Sequence, residues 1–243
     1  MILDIVRVTL PGFALGAIVM GLANRKVGAA VARARWLKLG VFFLIVHGVL
    51  ATAAAGQAWV VGLLLVILTG SALELRRAWA LIAAPRPHAM WPTFLVLAGL
   101  VIVNAWRLPA QAFAFLFIVT ASCDGFSQVV GQWLGRRPLA PRISPGKTVG
   151  GFAGGIVAAV TVAMLVRDLL PATFAAAAAL GILTSLAGLT GDLAASWVKR
   201  RAGIKDYSAA LPGQGGILDR FDSLLGALAI VGTMLQVLGT TSP

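Results

Sequence analysis

The chain carries little charge, and very little of that charge is acidic. Only 12% of its 243 residues are Asp, Glu, Lys or Arg, where soluble domains run near a quarter, and 59% are hydrophobic. Water is therefore not the solvent for most of its surface. Eight acidic residues face twenty basic ones, for a formal net charge of +12. A soluble nucleic-acid binder gathers such an excess on one face. Here the basic residues are spaced between apolar segments, as the positive-inside bias of membrane proteins spaces them. There is one cysteine, Cys123, in an apolar stretch; this excludes a disulfide framework or a CxxC metal site, and the residue reads as a small buried apolar group. No polar interval is long enough for a soluble domain of any size. Nor is there a convincing internal repeat of the kind that transporters with matched, interrupted helices carry.

What is present is a succession of apolar segments. Crossing ~30 Å of hydrocarbon takes about 17–25 apolar residues, and eight segments fit: 8–23, 39–55, 58–75, 91–106, 110–133, 149–166, 172–195 and 217–238. The fourth, opening at Trp91 and Pro92, is short, and a tilted or partly re-entrant course is open to it. The first does not have the pattern of a secretory signal, because its apolar core precedes the basic cluster instead of following one. The fold expected is all-α: a polytopic integral membrane protein of about eight transmembrane helices. Residues 1–110 form its N-terminal helices and 111–243 the region that carries the chemistry, in one integral membrane unit.

Orientation follows from the connections. Alternate ones hold Arg25, Lys26, Arg33, Arg35 and Lys38; Arg76, Arg77 and Arg86; Arg136, Arg137, Arg142 and Lys147; and Lys199, Arg200, Arg201, Lys205 and Arg220, which is 17 of the 20 basic residues. The other set has only Arg7, Arg107 and Arg167. The basic set is expected to be cytoplasmic, with both termini on the other side, in a cell (inner) membrane.

The scarce acidic residues are then the informative ones. Asp4 and Asp168 fall in the outer connections and need no function. Glu74, beside Arg76 and Arg77, reads as an interfacial charge pair. Asp124, Asp192, Asp206, Asp219 and Asp222 all lie in or beside helix ends on the basic side, where carboxylates are costly unless paired, hydrated or bound to a cation. Asp192, Ser196 and Lys199 share one face of the seventh span, and Asp219 and Asp222 one face of the eighth. Between them runs Leu211-Pro212-Gly213-Gln214-Gly215-Gly216. Glycines with bare backbone N–H groups ahead of a helix form an anion cradle, and Mg²⁺ bridges carboxylates to substrate phosphates. A second basic loop, through Ser144, Pro145, Gly146, Lys147 and Thr148, lacks the earlier glycine and the preceding strand of a P-loop. It reads as a hydroxyl, a lysine and bare backbone opening a helix. Asp124, with Gln128 and Gln132 on its face, puts a polar stripe inside the fifth span.

These residues also carry a family resemblance. Ser196-Trp197-Val198-Lys199-Arg200, then Lys205-Asp206, then Pro212-Gly213-Gln214-Gly215-Gly216 and Asp219-Arg220-Phe221-Asp222 resemble the signature of the phosphatidate cytidylyltransferases, S-x-x-K-R-x(4)-K-D followed by P-G-H-G-G and D-R-x-D. Ser144 to Thr148 resemble the family's upstream S-P-G-K-T, and Gly191-Asp192 its G-D. The likeness covers residues 120–226, and Gln214 stands where the family has histidine. It implies cytidylyl transfer from CTP to a phosphatidic acid or related lipid phosphate, giving a CDP-lipid and pyrophosphate. By the same resemblance Asp192 and Asp219 are metal ligands for Mg²⁺, with an accompanying K⁺ a further expectation. Asp192, Lys199, Asp206, Asp219 and Asp222 would carry the catalysis. Asp124, Ser144, Lys147, Thr148, Ser196, Arg200, Lys205, Arg220 and the run Gly213, Gln214, Gly215, Gly216 would hold substrate, with Gln214 orienting phosphate rather than moving a proton. Partners are CTP, the lipid phosphate and the bilayer, with no nucleic acid and a homodimer as one assembly open to the chain. A paralogue acting on another lipid phosphate, or a non-catalytic membrane protein or transporter that retains the motif, stays as the alternative.

Overall fold

A computed structural model of the chain describes residues 2–25, 27–82 and 90–239; Lys26 and Arg86, counted above among the basic connections, lie outside them. Each of the eight apolar segments is helical. In order they are α1 (Ile2–Asn24), α2 (Ala29–Ala55), α3 (Gln57–Ala80), α4 (Met90–Arg107), α5 (Ala110–Leu134), α6 (Val149–Leu165), α7 (Phe174–Arg201) and α8 (Ile217–Ala227). The last continues through a π-helical stretch, Leu228–Gly232, into α9 (Thr233–Val237). The fold is an all-α polytopic membrane protein. Helices α1 to α5 and α7 are long and apolar enough to cross a membrane, whereas α6 is apolar but only 17 residues long. The fourth segment is one unbroken helix of 18 residues rather than a re-entrant one.

Several helices outrun the apolar segments that announce them. α2 begins at Ala29, α3 runs to Ala80 and α7 to Arg201, because Ala, Lys and Arg are good helix formers and the hydrogen-bond ladder does not stop where hydropathy does. Arg33, Arg35, Lys38, Arg76, Arg77, Lys199, Arg200 and Arg201 therefore ride on helical extensions, not in connections. The eighth span is not a regular helix either. At the start of its π-helical turn the Leu228 carbonyl accepts a hydrogen bond from the buried Asn104 amide of α4 at 2.7 Å.

The core centres on α5. Residues 112–119 of that helix are all buried, apolar around the whole circumference as a helix enclosed by others must be. Two crossings are close because glycine makes them so. A Cβ on Gly155 would collide with the Ser127 hydroxyl, and one on Gly151 would stand 2.6 Å from the Ser127 carbonyl, so α6 lies almost against α5. A Cβ on Gly191 would likewise strike the Asp222 carbonyl, and one on Gly226 would come within 2.9 Å of the Gly191 Cα. Small residues give membrane helices this approach. The first crossing brings the start of α6 over Asp124, and the second sets Asp192 beside Asp222.

The second basic loop is not a loop. Pro138–Ala140 (β1) and Ser144–Thr148 (β2) pair antiparallel, with Pro138 opposite Thr148 and Ala140 opposite Ser144. Ser-Pro-Gly-Lys-Thr has poor strand propensity; the pairing follows from the close α5–α6 crossing, which holds the two ends of the connection together.

Candidate active site

At the end of the bundle where the basic residues gather, a cavity of about 240 Å³ opens between α5, β2, α6, α7 and α8. Asp124, Asp192, Asp219 and Asp222 line it, with Lys147, Arg220, Thr148, Gln128 and Ser223. With the Lys199 that pairs with Asp219 counted in, four carboxylates face three cations, and the site keeps an excess of acid. Asp124, Asp192 and Asp222 are close enough to repel one another, and Lys147 is their common counter-ion. Its ammonium donates to Asp192 Oδ2. Burial works against the charge on Lys147, but the three acids outweigh it and carry the group above the ordinary lysine value. Thr148 follows as the N-cap of α6, its hydroxyl accepting from Gly151 N–H at 3.1 Å. Ser196, one turn along α7 from Asp192, donates to Asp192 Oδ1 at 3.1 Å and fixes that carboxylate from behind.

Asp219 is engaged differently. Its Oδ1 takes the Lys199 ammonium at 2.7 Å, and its Oδ2 accepts the backbone N–H groups of Tyr207 at 2.7 Å and Gly216 at 2.9 Å. The bond to Gly216 is one half of a capping box at the start of α8: the Asp219 carboxylate reaches back to the N-cap N–H, and glycine has no side chain to return the bond. Both side chains of the Lys199–Asp219 pair are nearly enclosed. Tyr207 closes the loop by donating its hydroxyl to the Ala195 carbonyl at 2.8 Å; burial first, and then the neighbouring acids, hold the phenol well above its usual value, so it stays a donor.

The N-terminus of α8 is not bare. Glu74 of α3, 4% exposed, accepts the N–H groups of Ile217 at 2.9 Å and Leu218 at 2.8 Å and the Ser208 hydroxyl at 2.6 Å. A Cβ on Gly216 would stand 2.5 Å from Glu74 Oε1, so glycine there makes room for a carboxylate of the protein. With Gly216 N–H also committed to Asp219, the chain's own acids take the end of the expected Gly213 to Gly216 cradle that adjoins α8. Glu74, expected as an interfacial pair with Arg76 and Arg77, is a cap on another helix.

Among the described residues, no three Asp, Glu, His or Cys side chains form a group able to hold a metal ion unaided. A hard cation that takes one or two carboxylates and completes its shell with phosphate oxygens and water needs no such group. Asp192 and Asp222, with Asp124 behind them, offer oxygens and unbalanced negative charge. The donor set fits a divalent cation that brings further oxygen ligands with it.

The cytidylyltransferase family model matches residues 8–238. The chain belongs to the cytidylyltransferase family. Among curated relatives, the phosphatidate cytidylyltransferase of Brucella melitensis biotype 1 is 36% identical over 232 residues, covering 90% of this chain and 83% of the relative. That of Bacillus subtilis is 46% identical over 110 residues, 44% of this chain and 41% of the relative. The uncharacterized protein YnbB of Escherichia coli K12 is 34% identical over 152 residues, 60% of this chain and 48% of the relative. CTP-dependent nucleotidyl transfer is thus the class of chemistry to which the chain belongs.

Not every residue singled out in this cytidylyltransferase's sequence reaches the cavity. Asp124, Lys147, Thr148, Asp192, Asp219, Arg220 and Asp222 do, with Ser196 and Lys199 one bond away. Lys205 and Asp206 are exposed on the α7–α8 loop and do not line it. Ser144, at the far end of β2, does not line it either. Gln214 turns away, its amide donating to the Lys38 carbonyl of α2 at 2.9 Å, and Gly213 and Gly215 shape its turn at φ of +71° and +84°. Arg200 faces a separate hollow with Arg142. Sequence reasoning missed Tyr207, the chain's one tyrosine, and Ser127, Phe152, Leu189 and Ser223 of the lining.

Proposed function

We propose that this protein condenses CTP with phosphatidic acid, giving CDP-diacylglycerol and pyrophosphate, at a cytoplasmic-facing site in the inner membrane. The 17-to-3 division of basic residues supports the orientation. The observation that carries the reaction is the cavity's charge, four carboxylates and, with Lys199, three cations in a member of a CTP-using family. Both reactants are anions, so a net-negative cavity is unfit for them unless a cation enters with them.

The lipid phosphate is already ionised at neutral pH and needs no strong general base. Its oxygen forms a bond to the α-phosphorus of CTP while the bond from that phosphorus to the β-phosphate oxygen breaks, and pyrophosphate leaves with the electron pair. Such transfers depend on positioning and charge neutralisation. Lys147 and Arg220 hold phosphate oxygens. Asp192 and Asp222, with Asp124 close by, would hold Mg²⁺, which supplies charge neutralisation between the two anionic reactants. Ser196 orients Asp192. Lys199, Asp219 and Tyr207 set the start of α8 and with it Asp222 and Arg220.

Pyrophosphate release from CTP, Mg²⁺ and phosphatidate by the purified protein tests the reading. The Gln214 departure and the likeness to an uncharacterized relative favour one second reading, a paralogue with another lipid phosphate as acceptor. Release with a polyprenyl or other lipid phosphate, but not with phosphatidate, would replace the first reading with the second.

A further inference from the structure

A second hollow of about 360 Å³ lies on the outer side of the hairpin, lined by Arg142, Ile143, Trp197, Arg200 and Arg201. It shares a wall with the active cavity: Gly146 to Thr148 of the hairpin face the cavity, and Arg142 and Ile143 face this hollow. Its basic groups are held in place. Arg200 Nε donates to the Ile143 carbonyl at 3.0 Å, tying the end of α7 to the hairpin and leaving the rest of the fork free to donate. The Arg201 guanidinium sits 4.9 Å from the centre of the Trp197 ring. None of the three arginines is ion-paired with a carboxylate among the described residues. Three like charges around one hollow repel each other, and the negative end of the α7 dipole offsets only part of that.

We propose that this hollow binds the phosphate headgroup of an anionic phospholipid from the leaflet next to the basic loops, at the rim of the active cavity. The fork geometry of arginine suits phosphate oxygens, and a 40% exposed tryptophan at the end of an apolar helix suits the headgroup level of a bilayer. The site does not depend on the transfer chemistry proposed above. Two sources share its chemistry, the phosphate monoester of phosphatidate and the diester of a bulk anionic lipid.

The test uses the full chain in neutral detergent, with EDTA and no CTP, titrated with phosphatidylglycerol, phosphatidate or phosphatidylcholine, bound lipids being counted by native mass spectrometry. The wild type should retain one more phosphatidylglycerol than the Arg142→Gln/Arg201→Gln variant, whose half-saturation for that lipid should rise at least tenfold. The control Arg136→Gln/Arg137→Gln removes the same amount of charge from the α5–α6 connection outside the hollow, and should bind like wild type. Arg142→Lys/Arg201→Lys, for use if the Gln pair does not purify, keeps the charge but loses the fork and should bind several-fold more weakly. Filling by phosphatidate at a tenth of the phosphatidylglycerol concentration would assign the site to the monoester, and equal half-saturation would assign it to the bulk lipid. Equal loss in the Gln pair and the control, no loss in either, or equal filling by phosphatidylcholine would overturn the proposal. Pyrophosphate release by these variants reports separately on the transfer reaction.

Discussion

Glu74 is the residue on which the placement of α8 most depends, and its removal has a calculable cost. Glu74→Ala leaves the N–H groups of Ile217 and Leu218 without their acceptor. An unsatisfied buried donor costs about 1–3 kcal/mol, so the folded state should lose about 2–6 kcal/mol. Glu74→Gln keeps the shape and one acceptor oxygen but turns an NH₂ group toward a donor, and should lose about half as much. The effect on turnover is separate. Asp219 and Asp222 lie within the first two turns of α8, and a displacement of ~1 Å at a reacting centre costs about 10²-fold. The assay pairs thermal unfolding in detergent with pyrophosphate release measured far below the variant's midpoint, so that misplacement is read apart from unfolding. A Glu74→Ala protein that melts with the wild type and turns over within twofold of it would refute the assignment.

Asp192→Asn should lower turnover by about 10²–10³-fold with folding intact, and Asp192→Asn/Asp222→Asn should be little worse than either single change, because groups acting through one ion are not additive; near-normal turnover by Asp192→Asn with Mg²⁺ present would remove it from the cation site. Asp219→Asn keeps one oxygen for the Tyr207 and Gly216 N–H groups but turns an NH₂ group toward the Lys199 ammonium and loses that ion pair, so both melting temperature and turnover should fall; a drop in turnover alone would make Asp219 a direct ligand rather than a positioning group. Gln214→His should stay within about tenfold of wild-type turnover, roughly 1.4 kcal/mol in the barrier, because an imidazole N–H can still reach the Lys38 carbonyl; a larger gain would point to a weakened paralogue. With Arg136→Cys, an impermeant thiol reagent added outside intact cells should give no labelling, and labelling would reverse the orientation.

The helical segments and their order were legible because each rests on composition along the chain: a long apolar run is a local property, although six of the eight segments form helices long and apolar enough to cross a membrane. Asp124, Asp192, Asp219 and Asp222 could be found because a carboxylate near a membrane helix end is conspicuous against so few acids. What could not be read were pairings between distant segments. Glu74 sits next to two arginines in sequence, and its true partners are more than a hundred residues away on α8. Gln214 belongs to a signature motif, but its bond is to a backbone carbonyl of α2, and a backbone carbonyl leaves no mark in a sequence. Lys205 and Asp206 are the opposite case. Their spacing matches the signature, but the loop folds so that the neighbouring Tyr207 N–H meets Asp219 while both charged side chains stay in solvent.

The motif-bearing region after residue 110 is therefore not an independent functional unit, and the reason is electrostatic as much as steric. α8 presents a positive helix end to a cavity already crowded with carboxylates. Left open, that end would bind an anion. Glu74, reaching across from α3, fills it permanently and leaves the acids beyond it facing the cavity. α2 completes the arrangement. Lys38 holds Gln214 at the tip of the loop, and the Phe42 ring lies 4.4 Å from the Arg220 guanidinium, steadying one of the two cations that line the cavity. The signature residues supply the charges, and the helices without a signature hold those charges around one cavity.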